Sequence, residues 1–88
     1  MDFRWNDWNI AHIGGHGVSP EEAEGVVNGA ARPYPEARGD GKWRVVGQGV
    51  GGRFVQVVYL LDTDATVYVI HAMPLSPRDK RRHRRRTR

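Results

Sequence analysis

The chain has no cysteine among its 88 residues. Disulfide bonds and thiolate metal sites are therefore excluded, and the composition is typical of a reducing compartment. Long hydrophobic runs are also missing, since the longest wholly apolar stretch is Val57 to Leu61, far below the roughly 18 residues that a membrane span requires. Residues 1–9 carry Asp2, Arg4 and Asp7 and lack the apolar core of a signal peptide. These absences predict a soluble protein of the cytoplasm.

The short length predicts a single domain, because a chain of this size hides only about 60 to 65% of its unfolded surface. Charge divides the chain into two parts. Residues 76–88 hold eight Lys and Arg against one Asp, whereas residues 1–75 hold six Lys and Arg against nine Asp and Glu. We therefore predict one α+β domain over 1–75 and an arginine-rich C-terminal helix or tail over 76–88. Only that tail is expected to attract a polyanionic partner.

Two N-terminal helices are predicted from their end signals. The segment 6–16 has helical character, and Gly17 is placed to end it in the left-handed conformation. A capping box starts the second helix, formed by Ser19, Pro20 and Glu22. The Ser-Pro pair at 76–77 repeats the cap-and-proline pattern and predicts a third helix.

Three strands rich in β-branched and aromatic residues are predicted at 43–48, 53–61 and 66–73. Short links make them an antiparallel meander, and the connection at 30–41 adds one extended edge piece around Tyr34. The glycines at 47–52 superficially resemble a phosphate-binding loop, but they join two strands and precede no helix, so they are interpreted as turn residues. The prediction is two helices packed on a three- to four-stranded antiparallel sheet.

Pairing the strands through their shortest links divides the side chains between two faces. The face predicted to pack on the helices is apolar or aromatic throughout: Trp43, Val45, Val55, Val57, Tyr59, Tyr68, Ile70 and Ala72. The outward face is predicted to carry Arg44, Val46, Gln48, Phe54, Gln56, Val58, Leu60, Val67, Val69, His71 and Met73. The polar members of this outward set form a candidate site.

His71 is the candidate acid or base of a ribonuclease, because imidazole titrates near neutrality. In this hypothesis Gln56 has an orienting role, and Arg44 and Arg53 contact the scissile phosphate. The alternative is that His71 is simply a polar residue that finishes a strand.

His12 and His16 are four residues apart, which places both rings on one helix face, as metal-binding pairs require. The sequence shows no third ligand beside them, so neither a metal nor a cofactor is predicted. A histidine favoured by the helix dipole is the better explanation of His16.

The tail has three interpretations: a phosphate-binding arm, a helix that docks on a protein partner, or a solvated disordered run. Residues 78–88 contain no apolar side chain that would anchor them to the core, and like charges four apart destabilise a free helix. We expect the tail beyond its first turn or two to be frayed until RNA or an acidic partner supplies counter-charge. The residues expected to contact RNA are Arg78, Arg81, Arg82 and Arg85.

Several motifs occur in a characteristic order along the chain. They are Trp5-Asn6-Asp7-Trp8-Asn9-Ile10, His16-Gly17-Val18-Ser19, Glu21-Glu22-Ala23, Gly52-Arg53-Phe54, Val57-Val58-Tyr59 and Val69-Ile70-x-Ala72 before a basic helix. This order resembles the BrnT-type toxins of bacterial toxin–antitoxin pairs, whose opening pattern is W-D-x-x-N-x-x-x-x-H-G-V-S-x-E-E-A. The resemblance covers nearly the whole chain. It implies a RelE-like fold, ribonuclease activity and neutralisation by an antitoxin.

Three residues align with positions of the family's pattern. Arg53 matches the arginine that enters the central strand, and His16 matches the histidine of the His-Gly pair. His83 stands where the last helix of the family has an aromatic residue. Three positions that are commonly basic in the family are not basic here: Gly15, Tyr68 and Met73. Either His71 and the tail take over their role, or cleavage has been lost.

Three hypotheses follow. The first is a toxin-like endoribonuclease that cleaves RNA by metal-independent 2′-hydroxyl attack and pairs with a cognate antitoxin. The second is a non-catalytic RelE-like module that binds an antitoxin or nucleic acid through its basic tail. The third is a domain of this fold with neither activity.

Overall fold

Five strands form one mixed sheet in the computed structural model of the protein, which describes residues 1–86. The strands are β1 (Phe3–Arg4), β2 (Glu36–Gly39), β3 (Lys42–Gln48), β4 (Phe54–Leu61) and β5 (Val67–Pro74). Their order across the sheet is β1-β5-β4-β3-β2, and β1 runs parallel to β5 while the other neighbours are antiparallel. The α+β prediction is confirmed. The predicted sheet was too small and wholly antiparallel, because a two-residue strand such as β1 is too short to show an alternating pattern.

Three helices accompany the sheet: α1 (Asp7–Gly14), α2 (Pro20–Asn28) and α3 (Pro77–Arg86). None of the helices over residues 1–86 combines the length and apolar character needed to cross a membrane. The predicted tail extends two residues further, to 87 and 88, which lie outside the described part of the chain.

A reciprocal pair of asparagines starts α1 and fixes it to the sheet. The backbone N–H of Asn9 donates to the Asn6 side chain over 3.1 Å, and the backbone N–H of Asn6 donates to the Asn9 side chain over 2.8 Å. The buried Asn9 amide nitrogen also donates to the carbonyl oxygens of Arg4 and Val69, both at 3.1 Å. One side chain therefore connects α1 to β1 and β5.

The start of α2 agrees only in part with the predicted capping box. Ser19 Oγ accepts the backbone N–H of Glu22 over 3.1 Å, as predicted. The Glu22 carboxylate does not accept the backbone N–H of Ser19, which a full capping box would require. It accepts the backbone N–H of Val50 over 2.8 Å and pairs with Arg53, because these groups from the β3–β4 connection lie against α2.

The core lies between the sheet and the helices α1 and α2. The pairing of β3 with β4 places Trp43 opposite Tyr59 and Val45 opposite Val57, as the sequence predicts. The fully buried large side chains include Ile13, Val26, Val45, Val55, Val57, Val67 and Val69.

A bulge in β5 reverses the sheet face that was predicted for residues 67–70. Val58 is opposite His71 and Tyr59 is opposite Val69, so Ile70 is the extra residue between them. Residues 67 and 69 therefore belong to the core instead of the outward face, and residues 68 and 70 are only partly buried. The prediction failed because every residue from 67 to 70 is a good strand former, so alternation does not reveal where the register shifts.

The C-terminal helix α3 is anchored to the outer face of the sheet. Ser76 Oγ caps it by accepting the backbone N–H of Asp79 over 3.2 Å, as the cap-and-proline pattern predicts. The His83 ring packs 5.0 Å from Phe54 and 5.7 Å from Tyr34, measured between ring centres. The helix extends to Arg86, and the His83 imidazole contacts the sheet face where the segment has no aliphatic side chain.

Gly49 is required by the buried carboxylate of Glu22. A Cβ atom at position 49 would overlap the Glu22 carboxylate, whereas a Cβ atom at Gly25 in α2 would meet nothing within 4 Å. The two glycines therefore form a matched pair for substitution.

We predict that Gly49→Ala lowers the free energy of unfolding by about 1–3 kcal/mol, because the added methyl group displaces packed atoms. Gly25→Ala is expected to raise it by about 0.5–1 kcal/mol through helix propensity. Urea unfolding followed by circular dichroism measures both changes. Stabilisation by Gly49→Ala would contradict the close approach of Glu22.

Candidate active site

A cavity of about 300 Å³ lies between the outer face of the sheet and α3. We call it the Arg44 cavity. It is lined by Tyr34, Glu36, Arg38, Arg44, Gln56, Asp79, Arg82 and His83. Every one of these side chains carries a polar group, and three of them are arginines. The cavity therefore combines three cationic side chains with two carboxylates and a histidine.

Arg44 is held by the two strands that flank β3. Its Nε donates to Gln56 Oε1 over 3.0 Å, and its Nη1 donates to Glu36 Oε1 over 2.9 Å. The Arg44 side chain is only 16% exposed, so this pairing stabilises the guanidinium in a fixed orientation. Glu36 lies directly opposite Arg44 in the β2–β3 register, and Gln56 is its diagonal neighbour on β4.

The carboxylate of Glu36 lies between two arginines. Besides Arg44, the Nη1 of Arg38 is 3.5 Å from Glu36 Oε1. The carboxylate therefore lies within ion-pair distance of two guanidinium groups.

His83 is positioned by aromatic side chains. The Tyr34 hydroxyl lies 3.3 Å from His83 Nδ1, and the Phe54 ring packs against the imidazole. Because Tyr34 is buried, it gives the histidine a rigid neighbour. An acid–base group, Arg44 and a carboxylate therefore line one cavity.

Arg53, predicted as a phosphate ligand, has a structural role. Its Nε donates to Glu22 Oε2 over 3.0 Å, and its Nη2 donates to Glu22 Oε1 over 2.6 Å and to the Gly17 carbonyl over 2.7 Å. The hydrogen bond with Arg53 holds the pKa of Glu22 below its usual range, and the same bond raises the pKa of Arg53. The guanidinium therefore joins the α1–α2 turn and α2 to the β3–β4 connection, away from the Arg44 cavity.

His71, predicted as the acid or base, also lies outside the Arg44 cavity. It is opposite Val58 in the sheet, and its ring centre is 5.3 Å from that of His16 and 6.1 Å from that of His12. Burial lowers the pKa of His71, and the neighbouring His16 and His12 lower it further. The predicted catalytic set is therefore divided: Arg44 and Gln56 are in contact, whereas His71 and Arg53 are elsewhere.

The arginines predicted to contact RNA divide in the same way. Arg82 lines the Arg44 cavity, and Arg78, Arg81 and Arg85 are exposed on α3. The sequence did not identify the cavity residues Tyr34, Glu36, Arg38, Asp79 and His83 as a site.

The three histidines His12, His16 and His71 form a second cluster. One ligand atom from each ring lies within 4.8 Å of the others. The structure thus brings His71 beside the helical pair that lacked a third ligand in the sequence. We call this group the histidine cluster.

Searches of family models, of characterised proteins and of solved structures find nothing that matches this chain.

We predict that Glu22→Gln lowers the free energy of unfolding near pH 7 by about 1–3 kcal/mol, because a buried charge-assisted hydrogen bond is lost. Since folding lowers the pKa of Glu22, its stabilising contribution is complete above the ordinary carboxyl range and is lost as the pH falls through the folded-state pKa. Urea unfolding at about pH 7 and about pH 3 should therefore show the wild type and the variant converging in acid.

Glu21→Gln is the matched control, because Glu21 is exposed in the same helical turn. We expect it to change stability by less than about 1 kcal/mol. A Glu22→Gln deficit of the same size at both pH values would contradict the ion pair as its cause.

Proposed function

We propose that the protein is an endoribonuclease of the toxin type and that the Arg44 cavity is its active site. The observation that carries the proposal is the convergence of three arginines, a glutamate and a histidine on one cavity of about 300 Å³. Cleavage of a phosphodiester needs cations around the phosphate and a pair of groups that exchange protons. The cavity offers both.

The phosphate would be bound by Arg44, Arg38 and Arg82. Arg44 is the main ligand in this scheme, because its hydrogen bonds to Glu36 and Gln56 fix the guanidinium before substrate arrives. A cation that is already oriented needs little reorganisation when negative charge develops on the phosphate. Gln56 keeps the orienting role predicted from the sequence, and it acts through Arg44.

Glu36 and His83 would move the protons. Glu36 accepts the proton of the ribose 2′-hydroxyl, and the resulting oxygen attacks the adjacent phosphorus. The bond from phosphorus to the 5′-oxygen then breaks, and His83 in its protonated form gives a proton to that oxygen. The products are a 2′,3′-cyclic phosphate and a free 5′-hydroxyl. No metal takes part in these steps.

The toxin assignment rests on the motif order and is supported by the placement of the helices. The residues that carry the resemblance, from Trp5 to Ala23, contain α1 and the start of α2 on one face of the sheet, and the basic α3 lies on the other face. In this proposal an acidic antitoxin neutralises the domain by covering α3 and the Arg44 cavity. RNA and that antitoxin are the proposed partners.

We predict that the purified protein cleaves long single-stranded RNA in the presence of EDTA and leaves 2′,3′-cyclic phosphate ends. His83→Ala and Glu36→Gln should each lower the cleavage rate by at least about 100-fold, since general acid–base catalysis contributes that much. His83→Ala should also remove the alkaline limb of the pH–rate profile, because the acid is lost. Gel analysis of end-labelled RNA measures rates and product ends.

Arg44→Gln should lower the rate as well, and Arg4→Gln is its control. Arg4 has the same charge but lies on β1, at the opposite edge of the sheet. Thermal unfolding checks that each variant is folded. Failure to cleave any RNA, or loss of cleavage in His71→Ala with full activity in His83→Ala, would overturn the assignment.

The second candidate function is binding without cleavage, and it is favoured by the exposed arginines of α3. Arg78, Arg81 and Arg85 are exposed outside the Arg44 cavity. They present positive charge to any polyanion, and counterion release would drive the association.

We predict that replacing Arg78, Arg81 and Arg85 together with Gln weakens RNA binding and flattens its dependence on salt concentration. Fluorescence anisotropy with a labelled 2′-O-methyl oligonucleotide measures binding without cleavage. An unchanged salt dependence would show that α3 is not the binding surface. Because this triple variant leaves the Arg44 cavity intact, its effect is separable from that of His83→Ala.

A further inference from the structure

Three imidazoles from two separate elements meet beside the open edge of β5. His12 belongs to α1, His16 lies in the turn that follows it, and His71 belongs to β5. None of the three lines the Arg44 cavity. The histidine cluster is therefore a separate feature, and the proposed ribonuclease chemistry does not use it.

The distances between the rings are close to those of a metal centre. Zinc binds imidazole nitrogen at about 2.0–2.1 Å with tetrahedral geometry, which places the ring centres of two ligands about 5.2 Å apart. The observed separations are 5.3, 6.0 and 6.1 Å. The ring planes also meet at 56° to 85°, so the imidazoles are not stacked on one another.

Small side-chain rotations would complete the geometry. One nitrogen from each ring lies within 4.8 Å of the others, whereas tetrahedral ligands lie about 3.4 Å apart. His12 and His16 are exposed and can make this adjustment, and His71 is half-buried against the sheet. The exposed side also gives a metal ion a route of entry.

The three imidazoles are not held together by ion pairs with acidic side chains of the described residues. Among residues 1–86 no carboxylate forms an ion pair with any of the three rings. Three adjacent imidazoles repel one another when protonated, and only their neutral forms bind a metal. The cluster therefore has the donor set of a transition-metal site without the counter-charges of a salt-bridge network.

We propose that His12, His16 and His71 bind a zinc ion. Three neutral nitrogen ligands are characteristic of zinc sites that keep a fourth position for water. The ion would join α1 to β5 at the bulge, next to the Asn9 hydrogen bond that already connects these elements. Zinc binding would then stabilise the fold in proportion to its affinity.

We predict that Zn²⁺ raises the unfolding temperature of the metal-stripped protein and that Co²⁺ gives the visible absorption bands of a tetrahedral site. His12→Ala and His71→Ala should each weaken Zn²⁺ binding by at least about 100-fold, since loss of an outer-shell partner alone costs about 10- to 100-fold. Isothermal titration calorimetry with Zn²⁺ measures the affinity. The exposed His12 provides the variant whose fold is least disturbed.

His83→Ala is the matched control, because His83 is the one histidine of the sequence outside the cluster. It should bind Zn²⁺ as the wild type does. Trp8 supplies a local signal, since its ring centre is 4.9 Å from that of His12, and Ni²⁺ bound at the cluster should quench its fluorescence. Trp8→Phe should bind Zn²⁺ normally and lose that quenching.

Zinc affinity that is unchanged in His12→Ala and His71→Ala, or lost in His83→Ala, would overturn the proposal. All of these measurements are made without RNA. Failure of the zinc site would therefore leave the ribonuclease proposal standing, and failure of RNA cleavage would leave the zinc site standing.

Discussion

One extra residue in β5 determines which side chains of this strand belong to the core. The bulge at Ile70 turns Val67 and Val69 into the core, and His71 on its C-terminal side lies against His16. The Asn9 amide binds the Val69 carbonyl beside the bulge, so the helix is held where the register changes. A regular ladder continued from the pair of His71 with Val58 would have turned both valines to the outer face. His71 lies beside α1 and does not line the Arg44 cavity, so the histidine cluster and the cavity are separate.

Local signals in the sequence were sufficient for most of the secondary structure, and contacts between distant segments were not predictable. Ser19 and Pro20 specify the start of α2 because a cap acts within one turn. The destination of the Glu22 carboxylate depends on Arg53, 31 residues later, so the same local pattern gave the wrong partner. The alternation of polar and apolar residues predicted the pairing of β3 with β4. That pairing places Arg44 and Gln56 on one face, where they form a hydrogen bond. Neither the bulge nor the packing of α3 leaves such a local pattern.

The basic C-terminal segment has a different meaning once it is folded against the sheet. In the sequence it is a run of like charges without an apolar anchor. In the structure His83 anchors it through Tyr34 and Phe54, and Arg82 lines a cavity that also contains Glu36. Part of the charge of α3 thus contributes to a site with acidic members, and the exposed remainder faces solvent. Under the proposed function, substrate chemistry and partner attraction would belong to different residues of this one helix.

The most direct test of the account is an NMR titration of the isotope-labelled protein with a 2′-O-methyl dinucleotide, which carries the phosphodiester and resists cleavage. Binding in the Arg44 cavity predicts saturable shifts of the His83 ring and Arg44 guanidinium signals, with the ring signals of the histidine cluster unchanged. Shifts confined to Arg78, Arg81 and Arg85 would contradict the central claim, because the phosphate would then bind the exposed face of α3.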